Sequence, residues 1–304
     1  MKALVIGASG QVGGALLKAL AARGHTAAGT YRAHAQPGLI ELDAANGPAV
    51  EHLIDQLHPD WVFYPAGLSW VDLCEREAGR CFDENVRVPL AVATCAARQG
   101  AGFVYYSSEY VFDGEGGPYD ETAAPRPINV YGRSKLAAEQ ELPGVNSATV
   151  LVRTTVVYGP ELQGKNFVCQ LIDKLRRGES MVVPDDQIST PTYNADLAAA
   201  SVECAERRLT GIINLTGPDR LDRYALALAA CRVFGFDARL VAARPTSQLG
   251  QLAARPLKAG LINTRARQLL DTRLRGVEEG LRAMHRALER CAGRSGHDRR
   301  SGDR

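Results

Sequence analysis

Short apolar runs alternate with longer amphipathic stretches through the first half of the chain. The apolar runs predict strands because they are short and rich in Val, Ile, Phe and Tyr, whereas the stretches between them repeat Ala and Leu at helical spacing. This alternation is typical of βαβ units, so it predicts an α/β fold with a doubly wound parallel sheet. The predicted strands are Lys2–Ile6, Thr26–Thr30, Leu39–Leu42, Trp61–Tyr64, Gly102–Tyr106 and Thr149–Val152, and the predicted helices are Gln11–Ala22, Gly47–Leu57, Phe82–Gln99 and Val130–Leu142.

The pattern loosens after about residue 160, where Pro and Gly separate shorter elements. Four further helices are predicted there: Phe167–Arg176, Asn194–Arg207, Arg223–Phe234 and Val277–Cys291. We therefore expect a first domain over 1–160, completed by segments that return from the second half, and a smaller interleaved lobe over 161–291. Residues 292–304 are rich in Gly, Ser and charge, which predicts a disordered tail.

Composition excludes several classes of protein. Lys and Arg number 36 against 34 acids, so the chain lacks the basic excess of a nucleic-acid-binding protein. No apolar run approaches the ~18 residues that cross a membrane. Glycine and polar residues interrupt the N-terminal apolar run too early for a signal peptide, so we expect a cytoplasmic protein. Seven scattered cysteines without a CxxC pair predict reduced thiols and no metal site.

A glycine-rich turn follows the first predicted strand and leads into the first helix. Such a turn lets the backbone approach a pyrophosphate, and the helix N-terminus presents free N–H groups to it. The alternative is a tight turn without a ligand. Its position between a strand and a helix favours dinucleotide binding in a Rossmann-type sheet. The residues of this turn are Gly7, Ser9, Gly10, Gln11, Val12 and Gly13.

The end of the second strand indicates which dinucleotide binds. A carboxylate at that place accepts a hydrogen bond from a free ribose 2′-hydroxyl, whereas a cation accommodates a 2′-phosphate. This chain has Tyr31 and Arg32 there. The sequence therefore predicts NADP(H), with NAD(H) as the alternative if Arg32 is only a solvated surface residue.

A tyrosine and a lysine stand four residues apart on the fourth predicted helix. Tyr131 and Lys135 thus share one face, and a nearby ammonium lowers the pKa of a phenol. The strand before this helix ends in Ser107 and Ser108, at the edge where open α/β sheets bind ligands. We expect Tyr131 to act as a general acid toward a carbonyl oxygen beside Ser108.

The GxxGxxG turn and the Ser108, Tyr131 and Lys135 set resemble the extended short-chain dehydrogenases/reductases. The resemblance implies that Ser108 orients the substrate carbonyl and that Lys135 holds the nicotinamide ribose. It also implies a supporting role for Asn85 in the helix before the strand. Three further residues match this superfamily's cofactor site: Asp43 beside the adenine, and Ala66 and Gly67 after the fourth strand.

Longer stretches are similar to dTDP-4-dehydrorhamnose reductases, which reduce the 4-keto group of a nucleotide-linked deoxysugar. They include 107–114 (SSEYVFDG), 127–132 (PINVYG) and the Arg255-Pro256 pair. This resemblance implies a nucleotide-sugar substrate, carbohydrate biosynthesis and a homodimer. Arg255 either binds the diphosphate or forms a structural ion pair. The substrate-pocket candidates are Ser69, Trp70, Tyr158, Asn166, Gln187, Thr192 and Arg255.

Departures from that family leave two alternatives open. Val156 stands where those reductases usually have a Trp near the sugar, and Leu68-Ser69 replaces a His-Thr pair. The non-catalytic regulatory β subunit of methionine adenosyltransferase resembles the same reductases and also has an aliphatic residue at the Trp position. A sugar-nucleotide epimerase on the same scaffold is the other alternative, although the segment 111–114 favours a reductase.

Overall fold

A seven-stranded parallel sheet forms the centre of the protein. The computed structural model describes residues 1–298, with side chains described through residue 290. The strands of the chain, in sequence order, are β1 (Lys2–Val5), β2 (Thr26–Tyr31), β3 (Ile40–Glu41), β4 (Trp61–Tyr64), β5 (Gly102–Ser108), β6 (Thr149–Thr154), β7 (Val157–Tyr158), β8 (Met181–Pro184), β9 (Ile188–Ser189), β10 (Thr192–Tyr193), β11 (Gly211–Asn214), β12 (Leu221–Asp222) and β13 (Val241–Arg244).

The strand order in the central sheet is β11-β6-β5-β4-β1-β2-β3, and every neighbouring pair is parallel. The chain builds the sheet outward from β1 in both directions, so the order reverses between β1 and β4. Ligands of open α/β sheets bind at such a reversal, beyond the carboxyl ends of the strands. Strand β11 comes from the second half of the chain and completes the sheet beside β6.

The helices pack on both faces of the sheet and in the second half of the chain. They are α1 (Gln11–Ala22), α2 (Gly47–Leu57), α3 (Val71–Arg76), α4 (Ala78–Phe82), α5 (Val88–Arg98), α6 (Val130–Val145), α7 (Phe167–Arg176), α8 (Asn194–Glu206), α9 (Arg223–Phe234), α10 (Thr264–Leu269) and α11 (Val277–Asp298). No helix among the residues described has the length and apolarity needed to cross a bilayer.

Two apolar layers cover the sheet, one on each face. Leu16 and Leu20 of α1 pack with Leu197 of α8 on one face. Ile54 of α2 and Val92 of α5 pack on the other. Parallel sheets covered on both faces have strands that are apolar throughout, which explains the continuous runs in the sequence.

A third apolar cluster belongs to the second half of the chain. It joins α7, α9 and α11 around the short strands β8 and β13. Asparagine side chains begin several helices: the Asn129 Oδ1 atom accepts from the Gly132 N–H at the start of α6, and the Asn166 Oδ1 atom accepts from the Cys169 N–H at the start of α7. Each such cap satisfies a backbone donor that the helix leaves free.

Two sequence predictions need correction. The single helix predicted over 82–99 is divided, because a π-helical turn at Asp83–Arg87 separates α4 from α5. The predicted disordered tail begins too early, since α11 continues to Asp298, and a helix once nucleated propagates at little cost. The rest of that predicted tail, 299–304, lies outside the described residues.

Candidate active site

The glycine-rich turn after β1 has a backbone that only glycine adopts easily. Gly7 has a φ of +93°, in the region that disfavours side chains. A Cβ atom on Gly13 would lie 2.3 Å from the Gly7 carbonyl oxygen, so that glycine allows α1 to pack against the turn. Gly10 precedes the first residue of α1 and has no capping side chain. The free N–H groups at this end of α1 are therefore available to an anion.

The other predicted residues of the turn divide into two groups. Val12 packs into the apolar layer under α1, so its side chain is structural. The Gln11 side chain donates to the Val157 carbonyl at 3.2 Å and ties the turn to β7. The Ser9 carbonyl accepts from Gln36 at 3.1 Å and from Gln163 at 2.9 Å. Loops from both halves of the chain thus meet over this turn.

The end of β2 presents a cation at the surface. Arg32 is 58 % exposed, and its guanidinium lies 3.7 Å from the Glu84 carboxylate. Tyr31 is half-buried and its hydroxyl donates to Glu41 at 3.3 Å. Asp43 is exposed and accepts from the Ala45 N–H at 3.1 Å, while Asn46 caps α2. Tyr31 and Arg32 thus lie at the end of β2, and Asp43 follows β3.

Asn85 determines the course of the loop after β4. It is fully buried in the π-helical turn, its Oδ1 atom accepts from the Leu68 N–H at 2.9 Å and its Nδ2 atom donates to the Leu68 carbonyl at 3.0 Å. The Nδ2 atom also donates to the Ser134 hydroxyl of α6 at 3.1 Å. The amide therefore joins the β4 loop to the helix that carries Tyr131. The π-helical turn aims it there, as such turns often do at functional sites.

Gly67 lies against this amide, at a position where a side chain would not fit. Its φ is +147°, and a Cβ atom would lie 2.6 Å from the Asn85 Oδ1 atom and 3.7 Å from the Lys135 Nζ atom. Ala66 approaches the glycine turn instead, since a Cβ on Gly7 would contact it at 3.0 Å. The β4 loop thus passes between the glycine turn and the Tyr131 helix.

Tyr131 and Ser108 face each other at the carboxyl end of β5. Tyr131 is 9 % exposed, and its ring makes an edge contact with Tyr110 at 5.5 Å between centroids. Burial raises the pKa of the Tyr131 phenol, and a hydrogen bond with the Ser108 side chain offsets part of that rise. The structure therefore holds a protonated phenol beside a serine hydroxyl, which is the state that a proton donor requires.

The Lys135 ammonium hydrogen-bonds to strand β5 rather than to the Tyr131 hydroxyl. Its Nζ atom donates to the Tyr105 hydroxyl at 3.1 Å and to the Tyr106 carbonyl at 2.9 Å, and it lies 5.8 Å from the centre of the Tyr131 ring. Burial lowers the pKa of the Lys135 ammonium to about 8, against opposing contributions from Cys81, Cys74 and Glu139. The ammonium is therefore held between strand β5 and the Tyr131 ring.

A cavity of about 310 Å³ lies beside helix α3. Trp70 is 58 % exposed at its edge, next to the exposed Ser69, and Val71 and Leu73 in its wall pack in the same apolar cluster as Tyr131. Arg255 lies in the wall, where its Nη2 atom donates to the Asp72 carboxylate at 2.7 Å. The structural ion pair that was one of the two alternatives for Arg255 is therefore present, with Asp72 as its partner. The cavity is lined by Trp70, Val71, Asp72, Leu73, Arg76 and Arg255.

The other four pocket candidates have structural partners. Tyr158 is fully buried in the third cluster and donates to the Val277 carbonyl at 3.3 Å. Asn166 caps α7, and the Gln187 amide donates to Thr246 at 2.9 Å. Thr192 is 1 % exposed and donates to the Thr190 carbonyl at 3.3 Å. These contacts give each of the four side chains a structural role that does not depend on a bound substrate.

One charged side chain near the site, Glu109, was not among the residues predicted from the sequence. Glu109, directly after Ser108, is 3 % exposed; its carboxylate accepts from the Gly260 N–H at 2.9 Å and from the Thr155 hydroxyl. Burial raises the pKa of Glu109 to about 7, although Thr155, the Gly260 N–H, Arg223 and Arg220 lower it in part. The sequence offered one sign of Glu109, an acid next to the candidate serine.

A family model described as RmlD substrate binding domain matches residues 1–290. The chain belongs to this family. The match confirms the predicted resemblance to the extended short-chain reductases and the Rossmann-type fold class. The dTDP-4-dehydrorhamnose reductase of Aggregatibacter actinomycetemcomitans is 31% identical, and the alignment covers 87% of this chain and 92% of the relative. Such relatives confirm the prediction of an oxidoreductase.

Two further relatives of this RmlD-family chain correspond to the predicted reductase and to the alternative of a regulatory subunit. The crystal structure of dTDP-4-dehydrorhamnose reductase from Bacillus anthracis, in complex with NADP, is 27% identical with a TM-score of 0.85, and covers 93% of this chain and 98% of its own. Methionine adenosyltransferase 2 subunit beta of Danio rerio is 29% identical over 90% of this chain and 84% of its own. Both an enzyme and a subunit named for another enzyme thus share the fold.

Proposed function

We propose that the protein is an NADPH-dependent reductase of a nucleotide-activated 4-keto sugar, similar to dTDP-4-dehydrorhamnose reductase. The observation that carries the proposal is the grouping of Ser108, Tyr131 and Lys135 at the carboxyl edge of the sheet. Strands β1 and β5 are separated only by β4, so the glycine turn lies about 10 Å from Ser108 along the sheet. A dinucleotide that begins on the turn can therefore reach Tyr131.

The residues present fit a nicotinamide dinucleotide. Gly7, Gly10 and Gly13 leave the α1 N-terminus open to a pyrophosphate, and the close approach at Gly13 leaves no room for a side chain. Arg32 offers a guanidinium for the 2′-phosphate of NADP(H). The NADP complex of the Bacillus anthracis reductase supports the same choice of cofactor. When bound, the cofactor supplies the hydride for the carbonyl carbon.

The chain's own residues supply the proton and the orientation. In the proposed reaction the Tyr131 phenol donates its proton to the carbonyl oxygen as that oxygen becomes an alcohol. The Ser108 hydroxyl, which lowers the pKa of the buried Tyr131 phenol, orients the same oxygen. Lys135 keeps a positive charge beneath the ring, which favours the phenolate left after proton transfer. Asn85 acts as a positioning residue, since it contacts the β4 loop and α6.

The test is an assay of NADPH oxidation with a panel of 4-keto sugar nucleotides, among them dTDP-4-dehydrorhamnose. We expect turnover with at least one member, and NADPH consumption matched to the alcohol formed. A Tyr131→Phe protein serves as the control for non-enzymatic oxidation. A panel that gives no turnover, with a protein that binds NADPH normally, would overturn the reductase proposal.

The second candidate is a regulatory subunit that binds NADP(H) without consuming it. The similarity to methionine adenosyltransferase 2 subunit beta supports it, and so does Val156, an aliphatic residue at the position where the reductases usually have a Trp. The two proposals differ in one measurement, since only the reductase consumes NADPH. An epimerase, the remaining alternative, would need no added reductant and would convert its substrate with the nicotinamide content unchanged.

A further inference from the structure

Lys135 carries a buried ammonium that is held by neutral oxygens. Its Nζ atom donates to two groups of β5, the Tyr105 hydroxyl at 3.1 Å and the Tyr106 carbonyl at 2.9 Å. A buried charge is costly unless hydrogen bonds replace those that it has lost to water. These two oxygens therefore stabilise the charged form of Lys135.

The Tyr105 hydroxyl is oriented as an acceptor for this ammonium. It donates its own proton to the Asn85 carbonyl of the π-helical turn at 2.7 Å, so its oxygen lone pairs remain for Lys135. Burial raises the pKa of the Tyr105 phenol far above its ordinary value, so the hydroxyl keeps its proton. The Nζ atom of Lys135 also lies 4.6 Å from the centre of the Tyr105 ring, which adds a cation–π attraction.

The two hydrogen bonds also fix the direction of the ammonium. A lysine ammonium has three donors, and β5 takes two of them, so the third is left for Tyr131 or for a bound cofactor. The Nζ atom lies 5.8 Å from the centre of the Tyr131 ring. Without the Tyr105 oxygen, the Tyr106 carbonyl alone would hold the ammonium, which could then turn about that single contact.

We propose that Tyr105 is a positioning residue that holds the Lys135 ammonium, charged and oriented, next to Tyr131. This proposal rests on the proposed function, because it assigns Tyr105 a part in the same reaction. Tyr105 is fully buried, so it acts through Lys135 rather than on the substrate.

The titration of Lys135 tests this assignment without any turnover. Nuclear magnetic resonance of isotope-labelled lysine follows the ammonium as pH changes, and Lys135→Met identifies its signal. Burial lowers the pKa of Lys135 to about 8, while Cys81 of α4, Cys74 of α3 and Glu139 of α6 raise it in part. Tyr105→Phe removes an acceptor and leaves those three groups in place, so we expect Lys135 to lose its proton about one pH unit lower than in the wild type.

The reductase assay provides a second readout. Tyr105→Phe should lower kcat for a 4-keto sugar nucleotide by about tenfold and leave the substrate KM within about twofold, because the substrate contacts stay intact. The fall of kcat at alkaline pH should begin at a lower pH than in the wild type, since Lys135 loses its charge earlier. A merely structural role of Tyr105 would lower stability without moving this pH profile.

Tyr106→Phe is the matched control. It removes a buried phenol hydroxyl from the next residue, on the opposite face of the sheet, and keeps the backbone carbonyl that Lys135 contacts. This variant should show the Lys135 titration and the pH profile of the wild type. An unchanged Lys135 titration in Tyr105→Phe, or an equal change in both variants, would overturn the assignment of Tyr105. If Tyr105→Phe lowers the Lys135 titration while the wild type reduces no 4-keto sugar nucleotide, the support of Lys135 by Tyr105 stands and the proposed function fails.

Discussion

The side-chain amide of Asn85 pairs with both backbone polar groups of Leu68. It accepts from the Leu68 N–H at 2.9 Å and donates to the Leu68 carbonyl at 3.0 Å. We predict that Asn85→Ala lowers the free energy of unfolding by about 2 kcal/mol or more, because it leaves buried polar groups unpaired. It should also weaken NADPH binding, since Gly67 then loses its support. Denaturant unfolding and a fluorescence titration measure the two effects.

Asn46→Ala is the control for that variant. It removes the cap of α2 and should cost about 1 kcal/mol of stability with unchanged NADPH affinity. An Asn85→Ala protein that loses stability but binds NADPH as tightly as the Asn46→Ala protein would contradict the positioning role.

Tyr131→Phe should remove turnover and retain the cofactor. The variant loses only the hydroxyl that faces Ser108, so we expect the rate of ketone reduction to fall by about 10²–10⁴-fold. The dissociation constant for NADPH should change by less than about twofold. Single-turnover kinetics at saturating NADPH measure the first quantity, and normal turnover would show that another group donates the proton.

Arg32→Ala should discriminate between the two nicotinamide cofactors. Arg32 is exposed and its contact with Glu84 at 3.7 Å is loose, so its guanidinium is free to turn toward a 2′-phosphate. We expect NADPH binding to weaken by about tenfold and NADH binding to stay within about twofold. Arg98→Ala, an exposed arginine that pairs with Glu51, provides the control. Equal losses for NADPH and NADH would contradict the assignment.

Glu109 should make the stability of the protein depend on pH. Burial raises its pKa in the folded state to about 7, whereas the unfolded chain loses this proton near 4.5. A raised pKa stabilises the fold below the unfolded value, and that contribution is lost as pH rises through about 7. The free energy of unfolding therefore falls by about 3 kcal/mol at most over this pH range.

Glu109→Gln removes this dependence because the amide stays neutral. The free energy of unfolding of the variant should therefore rise relative to that of the wild type between pH 4.5 and about 7.5. Glu115→Gln, at an exposed position, should follow the wild type throughout. Parallel curves for the wild type and Glu109→Gln would show that the buried carboxylate is ionised over the whole range.

A buried ion pair between Arg153 and Glu139 joins β6 to α6. Both side chains are 2 % exposed, and the two hydrogen bonds measure 2.9 and 2.6 Å. Arg153→Met should cost about 3–5 kcal/mol, because it leaves the Glu139 carboxylate buried and unpaired. The double variant with Glu139→Met should recover part of that loss. Arg98→Met, from an exposed pair, should change stability by less than about 1 kcal/mol.

Local patterns were sufficient for the parts of the site that lie within one βα unit. The helix predicted over 11–22 agrees with α1 residue for residue, because the glycine turn and the Leu16 and Leu20 spacing both act locally. The start of α6 was predicted for the same reason, since Tyr131 and Lys135 are four residues apart in one helix. Lys135 points toward Tyr105, however, and that contact depends on the neighbouring strand.

Features created by tertiary contacts were not accessible from the sequence. The π-helical turn at Asp83–Arg87 has no propensity signal, since it is fixed by the bonds of Asn85 to Leu68 and Ser134. Tyr158 matched a family position, yet it is buried against α11 by residues more than a hundred positions later.

The ion pair between Asp72 and Arg255 has a consequence for protein engineering. Asp72 comes from the half that carries the glycine turn, and Arg255 comes from the other half. A chimaera that exchanged only the C-terminal half with a relative would leave Asp72 unpaired, unless the donor carried a cation matched to position 255. Segment exchanges intended to alter substrate preference should therefore transfer α3 together with the loop around Arg255.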